Sequence, residues 1–361
     1  MSLPLTAGIS RGSWYGLGAM DSPTPPPKTV LVTGAAGFIG SHVTDELIAR
    51  GLSVVALDDL SGGYRNNVHP QARFVEGSIR DVPLLERLFS DFEIDSVIHL
   101  AAYAAEGLSH YVKRFNYESN LIGSVNLINA AVNATVRRFI FTSSVAVYGD
   151  LTPPLHEDTQ PLPHDPYGIA KWAVERELEI SHRLFGLPYV IFRAHNVYGA
   201  RQNFSDRYRN VVGIFMNQIL AGRPLTVFGD GTQTRAFTHV SDVAPVLVDA
   251  VFSPDAAGQV FNLGADESIT ILKLAELVSQ EMGAPLRVEH LPARPEARHN
   301  EASHDKARKI LSYRPKVSLE AGLREMADWV RMVGPRPTQG PRPLEVSRNL
   351  PPSWAPPAVK G

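Results

Sequence analysis

The sequence predicts an α/β protein: a doubly wound parallel sheet followed by a second, smaller α/β lobe. Three observations carry this. Short, almost wholly apolar and β-branched runs alternate with helical stretches through the first half of the 361 residues. A glycine-rich turn follows the first run. After about Asn196 the alternation gives way to shorter, irregular strand and helix units. Strands without polar alternation are buried on both faces, as in a parallel sheet covered by helices. Right-handed crossovers then wind helices onto both faces.

The first strand is Thr29-Val30-Leu31-Val32-Thr33. A helix over 38–50 follows, closed by Gly51, a residue suited to the left-handed turn after a helix. Further strands are expected at 53–57, 73–75, 96–100 and 139–142, with helices at 81–89, 117–132 and 172–180. Residues 28–195 are expected to form the first domain, to which segments near 225–265 return, and 196–332 mainly the second lobe. Residues 1–27, ending in Pro23-Thr24-Pro25-Pro26-Pro27, read as a poorly ordered tail, with Met20 a second candidate start. The proline-rich stretch over 333–361 is expected to wrap the surface or stay loose.

Composition narrows the function. Hydrophobic residues at 44% and charged residues at 20% fit a globular protein and exclude a disordered one. A net charge of −2 offers no basic footprint for nucleic acid or an anionic membrane. No apolar stretch approaches the ~20 residues that span a bilayer. With no cysteine, disulfides, thiolate metal sites and cysteine nucleophiles are excluded, which fits a cytoplasmic location. The histidines show no metal-ligand spacing, and Glu281, Glu289 and Glu296 read as solvated charges, so no metal is expected.

The turn Thr33-Gly34-Ala35-Ala36-Gly37-Phe38-Ile39-Gly40 joins the first strand to a helix. Gly34 allows the tight turn, Gly37 lets backbone approach a pyrophosphate, and Gly40 permits close helix–strand packing. The amides of the helix start, with Phe38 and Ile39, then face the anion. This is the Rossmann-type pattern. Asp58, closing the second strand, can accept from both adenosine ribose hydroxyls and would repel a 2′-phosphate, favouring NAD over NADP. Arg65, near in sequence, keeps NADP open.

Tyr167 and Lys171 stand at i and i+4 on one helix face. A phenol of reference pKa about 10 needs a depression of roughly 3 units to serve as a base at neutral pH, about 4 kcal/mol. An ammonium and a nicotinamide cation can supply this together, and Lys171 can also hold the nicotinamide ribose. Ser144, at the end of the fifth strand, can hydrogen-bond the hydroxyl that Tyr167 deprotonates.

Together these pieces resemble the extended short-chain dehydrogenase/reductase superfamily, in its NAD-dependent nucleotide-sugar epimerase/dehydratase branch, over about 29–330. The carrying pieces are 33–40, Asp58-Asp59-Leu60, His99-Leu100-Ala101-Ala102, Asn120, 142–149, 167–171, 193–199 and 228–242. On the cofactor side the resemblance implies Asp59 and Leu60 beside Asp58, and Ser78 and Ile79 at the adenine, Ser78 standing where the family usually has Asp. It implies Leu100, Ala101, Ala102 and Tyr103 along the pyrophosphate and nicotinamide, Asn120 behind the site, and Ser143 beside Ser144. On the substrate side it implies that Asn196, Asn210, Val211, Thr226, Arg235 and Arg294 hold the nucleoside diphosphate of a UDP-linked sugar, with Phe228 stacking on the pyrimidine. A homodimer through 117–132 and 167–181 is likewise implied.

The same resemblance sorts the chemistry. Dehydratases carry Asp-Glu where Val145 and Ala146 stand, and aliphatic side chains cannot exchange protons. Decarboxylases typically carry Glu at Ala146, and the epimerases that invert C3 and C5 use a cysteine. A UDP-glucose 4-epimerase-like reaction remains: oxidation at C4 and return of hydride to either face. His195 stands where an aromatic is usual and Ala236 where an Asp is usual, which leaves a uronate or N-acetyl sugar open. A decarboxylase or net oxidoreductase of the family, and an inactive NAD-sensing protein, stay open as well.

Overall fold

The computed structural model describes residues 29–294, 297–336, 343–351 and 354. The tail expected over 1–27, Met20 and Glu296 lie outside the described residues. The first half contains β1 (Thr29–Thr33), α1 (Phe38–Ala49), β2 (Ser53–Asp58), β3 (Arg73–Glu76), α2 (Val82–Asp91), β4 (Ser96–His99), α3 (Glu106–Ser109), α4 (Lys113–Tyr117), α5 (Gly123–Asn133), β5 (Arg138–Ser144), α6 (Pro166–Phe185) and β6 (Tyr189–Ala194). The second contains β7 (Asn196–Tyr198), α7 (Val211–Leu220), β8 (Leu225–Phe228), β9 (Thr234–His239), α8 (Val240–Phe252), β10 (Gln259–Leu263), β11 (Ser268–Thr270), α9 (Ile271–Glu281), β12 (Val288–Leu291), β13 (His299–Asn300), α10 (Asp305–Leu311) and α11 (Leu319–Val333).

Among the described residues, seven strands form the main sheet in the order β10-β6-β5-β4-β1-β2-β3, every neighbouring pair parallel. This is the doubly wound, Rossmann-type sheet that the sequence predicts. Val30, Leu31 and Val32 expose no surface, and full burial of such side chains contributes about 1.5–3 kcal/mol each. Val43 and Leu47 of α1 pack with Val243 and Leu247 of α8 on one face. Leu85 and Leu88 of α2, Leu127 and Ile128 of α5, and Val174 and Leu178 of α6 cover the other. The chain enters mid-sheet at β1, runs outward to β3, then crosses to β4 on the other side of β1. Thr33 pairs with both Leu57 and His99, so three strand ends stand level at this reversal, where such sheets open a crevice.

Several boundaries differ from the sequence expectation. The helix expected over 117–132 is interrupted by a π turn at Glu118–Ile122. The extra residue in that turn carries the Asn120 side chain to the backbone of Tyr103, donating to its carbonyl and accepting from its amide. The helix expected over 172–180 begins six residues earlier, at Pro166, because Asp165 caps it by accepting from Tyr167 N and Gly168 N, both at 2.9 Å. Within 225–265, α8 and β10 join the layers of the main sheet, whereas β8 pairs with β12 and β9 with β7, β11 and β13. These small sheets and α7, α9 and α11 enclose a separate apolar core around Phe215, Leu274 and Met326. No helix of the described residues is long and apolar enough to cross a membrane.

Candidate active site

A cleft of about 440 Å³ opens along the carboxyl ends of β1, β2, β4, β5 and β6. Its first wall is the β1–α1 turn. Gly34 has φ +71°, and a Cβ there would lie 2.8 Å from Ala101 N; a Cβ on Gly40 would lie 2.0 Å from Gly34 O. Gly34 and Gly40 are thus closed to any side chain, and backbone alone faces the cleft at Gly34, Gly37 and Gly40. No side chain caps α1, so its first amides are left for a ligand anion. Asp58 Oδ2 accepts from Ala36 N at 2.9 Å and Oδ1 from Leu60 N at 2.8 Å, fixing the carboxylate at the rim. Burial raises its pKa, against the pull of these two amides. Asp59, Ser78 and Ile79 continue the wall, and Leu100, Ala101, Ala102 and Tyr103 face it from the end of β4. These residues fit a dinucleotide: a cradle that a Cβ would fill, uncapped amides for a pyrophosphate, and a carboxylate at the ribose end.

Behind that wall lies a chain that links β1, β4 and α5. Ser124 Oγ donates to Asn120 O at 2.8 Å, so it accepts from His99 Nε2 at 2.9 Å. His99 Nδ1 then accepts from Thr33 Oγ1 at 2.7 Å, and that oxygen accepts from Leu100 N and Ala101 N. The tautomer is fixed by elimination. Burial, with the nearby Lys171, lowers the His99 pKa to about 3, keeping the ring neutral.

Ser144, Tyr167 and Lys171 meet on the floor of the cleft. Ser144 Oγ accepts from Ala146 N at 3.1 Å, and Ser144 lies close enough to Tyr167 to act on its pKa. Lys171 Nζ donates to Thr142 O at 2.8 Å and stands 5.8 Å from the centre of the Tyr167 ring. Burial lowers the Lys171 pKa to about 7, with Glu175 opposing, and raises that of Tyr167, with Ser144 opposing. The protein alone therefore holds a protonated phenol over a readily neutralised amine. The phenolate depression that the sequence argument asks of two cations does not come from Lys171 by itself.

One turn past Lys171, Glu175 accepts from Ser143 Oγ at 2.5 Å and from Arg193, whose Nη2 is 2.7 Å away; both charges are buried. Arg193 Nη1 reaches Tyr148 Oη at 2.8 Å, and Tyr148 donates to Asn262 at 2.7 Å. This network is a rigid bed under the three reactive groups. Glu175→Gln is expected to lower stability by about 3–5 kcal/mol, because it leaves a buried guanidinium without its counter-charge. Urea unfolding checks this, and an unchanged midpoint and slope would contradict it.

On the opposite wall stand Asn196, Asn210, Arg235, Arg209 and His195. Asn196 donates to Ala236 O at 3.1 Å and Asn210 to Val197 O at 2.7 Å. Arg235 is turned to the carbonyls of Thr234, Ala297 and Arg298. His195 is buried edge-on against His304, ring centres 5.1 Å apart, and the Ala236 side chain is buried. Leu60, Asn120, Val211, Thr226, Phe228 and Arg294 do not line the cleft. Leu60 instead closes the Asp58 turn, and Asn120 braces Tyr103. Thr226 exchanges hydrogen bonds with Gln218. Phe228 has the Arg294 guanidinium 3.8 Å from its ring centre, where a pyrimidine was expected to stack.

Sequence reasoning passed over His99 as a positioning residue, Glu175, Glu106 and Arg209. Glu175 continues the Tyr167–Lys171 spacing by one more turn, a signal that was present. Glu106 and Arg209 lie in segments with no motif, and only the fold brings them to the cleft.

A family model described as the NAD dependent epimerase/dehydratase family matches residues 30–264. A UDP-glucose 4-epimerase of Mycolicibacterium smegmatis is 37% identical over 311 residues, covering 83% of this chain and 98% of that protein. A UDP-N-acetyl-alpha-D-glucosaminuronate decarboxylase of Bacillus cytotoxicus is 30% identical over 325 residues, covering 85% and 98%. The crystal structure of UDP-glucose 4-epimerase with UDP-glucose from Thermotoga maritima superposes with a TM-score of 0.81 at 36% identity, covering 84% of this chain and 99% of that one.

Proposed function

The chain belongs to the NAD dependent epimerase/dehydratase family and its cofactor is NAD; on that premise we propose that it is a nucleotide-sugar 4-epimerase acting on a UDP-linked hexose. The observation that carries this reading is the Ser144–Tyr167–Lys171 group on the floor of a glycine-walled cleft, with aliphatic Val145 and Ala146 following Ser144 in the chain. Val145 and Ala146 are buried and aliphatic where an elimination would need proton donors and acceptors. That favours the plain epimerisation over a dehydratase, and Ala146 likewise speaks against decarboxylation.

Bound NAD supplies a reversible acceptor for the hydride of sugar C4, so no net redox change results. The chain's own residues do the rest. Tyr167 takes the C4 hydroxyl proton and later returns it. Ser144, beside Tyr167 on the cleft floor, holds the same oxygen. Lys171 places positive charge under the phenol when protonated. Asn196, Asn210 and Arg235 line the cleft and on this reading hold the diphosphate, Arg235 by exchanging the carbonyls of Thr234, Ala297 and Arg298 for phosphate oxygens that suit its fork.

Incubating the protein with UDP-glucose, UDP-glucuronate and UDP-N-acetylglucosamine, without added NADH, tests this. The C4 epimer of one of them is expected by NMR. Carbon dioxide release from the glucuronate would replace this reading with a decarboxylase. Conversion of none would remove it.

A further inference from the structure

Residues 343–351 and Trp354 fold back onto the cleft wall from beyond the family match. Glu345 accepts the backbone N–H groups of Arg114 at 2.7 Å and Phe115 at 2.9 Å, capping α4. Glu345 N and Val346 N donate to Tyr111 O at 2.9 and 3.1 Å, and Tyr111 Oη donates to Asn349 O at 2.8 Å. Trp354 is 3% exposed. Its ring meets Tyr111 and Tyr208 edge to face, with centres 5.9 and 5.1 Å apart, and the Arg294 guanidinium is 5.6 Å from its centre. A Cβ on Gly107 would lie 3.1 Å from the indole.

Two of these neighbours adjoin residues that line the cleft. Gly107 follows Glu106, and Tyr208 precedes Arg209 and Asn210. Tyr103 and Phe115 belong to the same apolar cluster as Trp354 and line the cleft too. Arg209 closes the circuit, its guanidinium 4.8 Å from the centre of the Tyr103 ring. One indole thus grips the α3 side of the cleft and the 206–210 loop on the opposite wall. Loops held before the ligand arrives lose less freedom on binding.

We propose that Trp354 is a positioning residue for substrate: it locks the segment carrying Tyr103 and Glu106 to the loop carrying Arg209 and Asn210, and so sets affinity for the nucleotide sugar. It rests on the nucleotide-sugar reading of the cleft. In the full chain, Trp354→Ala is expected to raise the UDP dissociation constant and the KM of the converted UDP-sugar about tenfold, with kcat and retained NAD nearly unchanged. Amide hydrogen exchange is expected to quicken at 103–109 and 206–210 and to stay unchanged at 96–99. Trp354→Phe is expected to restore most of the affinity. The proposal is overturned if Trp354→Ala keeps wild-type affinity, or if kcat, NAD retention and exchange at 96–99 change as much as KM. If the wild type neither binds UDP nor converts a UDP-sugar, the nucleotide reading fails on its own. Exchange at the two segments then decides whether Trp354 locks them: quickened exchange upholds it, and unchanged exchange overturns it.

Discussion

Tyr167→Phe is expected to cut turnover by about 10²–10⁴-fold while the protein stays folded and retains its NAD, because only the proton-transferring oxygen is removed. The ring itself is packed, 7% exposed, at the start of a helix capped by Asp165, and phenylalanine keeps that packing. The oxygen removed acts on the proton in the transition state, so the loss should fall on kcat and kcat/KM alike. The measurement is steady-state kinetics on the converted UDP-sugar, with the dinucleotide of a denaturing extract quantified in parallel. Turnover at the wild-type level would remove Tyr167 from the chemistry whatever the substrate.

Lys171→Met should act on stability and activity in opposite directions. The buried ammonium has its pKa lowered from 10.5 to about 7, so the folded state disfavours the charged form. The resulting penalty is absent above pH 10.5, grows as pH falls toward 7, and is constant below that. At about 1.4 kcal/mol per unit it reaches roughly 4–5 kcal/mol, from which about 1 kcal/mol is lost again when the Thr142 carbonyl is orphaned. The variant should therefore melt higher than the wild type at pH 6, lose that advantage as pH rises, and fall about 1 kcal/mol below it by pH 10.5. Its turnover should fall by about 10²-fold, since the nicotinamide cation alone is left to favour the phenolate. Melting curves across that pH range check the first part, and a variant less stable at pH 6 than the wild type would contradict it.

The main sheet was legible because its signal is local. Apolar β-branched runs, the Gly34–Gly37–Gly40 turn and the i, i+4 pair on α6 each depend on a few adjacent residues. What was not legible depends on long-range placement. The π turn at Asn120 has no sequence marker, because its cause is the Tyr103 backbone that it meets. Arg294 across the Phe228 ring and Gln218 beside Thr226 are likewise brought there by the fold, with no local marker in the sequence. The proline-rich C-terminal stretch has no period to read; its role is set by Tyr111, Tyr208 and Gly107, which are more than a hundred positions away.

The double engagement of Asp58 bears on any attempt to retool the protein for a phosphorylated dinucleotide. The carboxylate that would repel the extra phosphate is also the acceptor for Ala36 N and Leu60 N. Swapping it for a cationic or apolar side chain would strand two donors in the turn that cradles the pyrophosphate. Coenzyme choice and loop integrity are therefore one trait here. Even asparagine, with one acceptor oxygen, would satisfy only one of the two N–H groups, so a successful redesign would have to re-anchor the loop as well as supply the new positive charge from Asp59 or the residues after it.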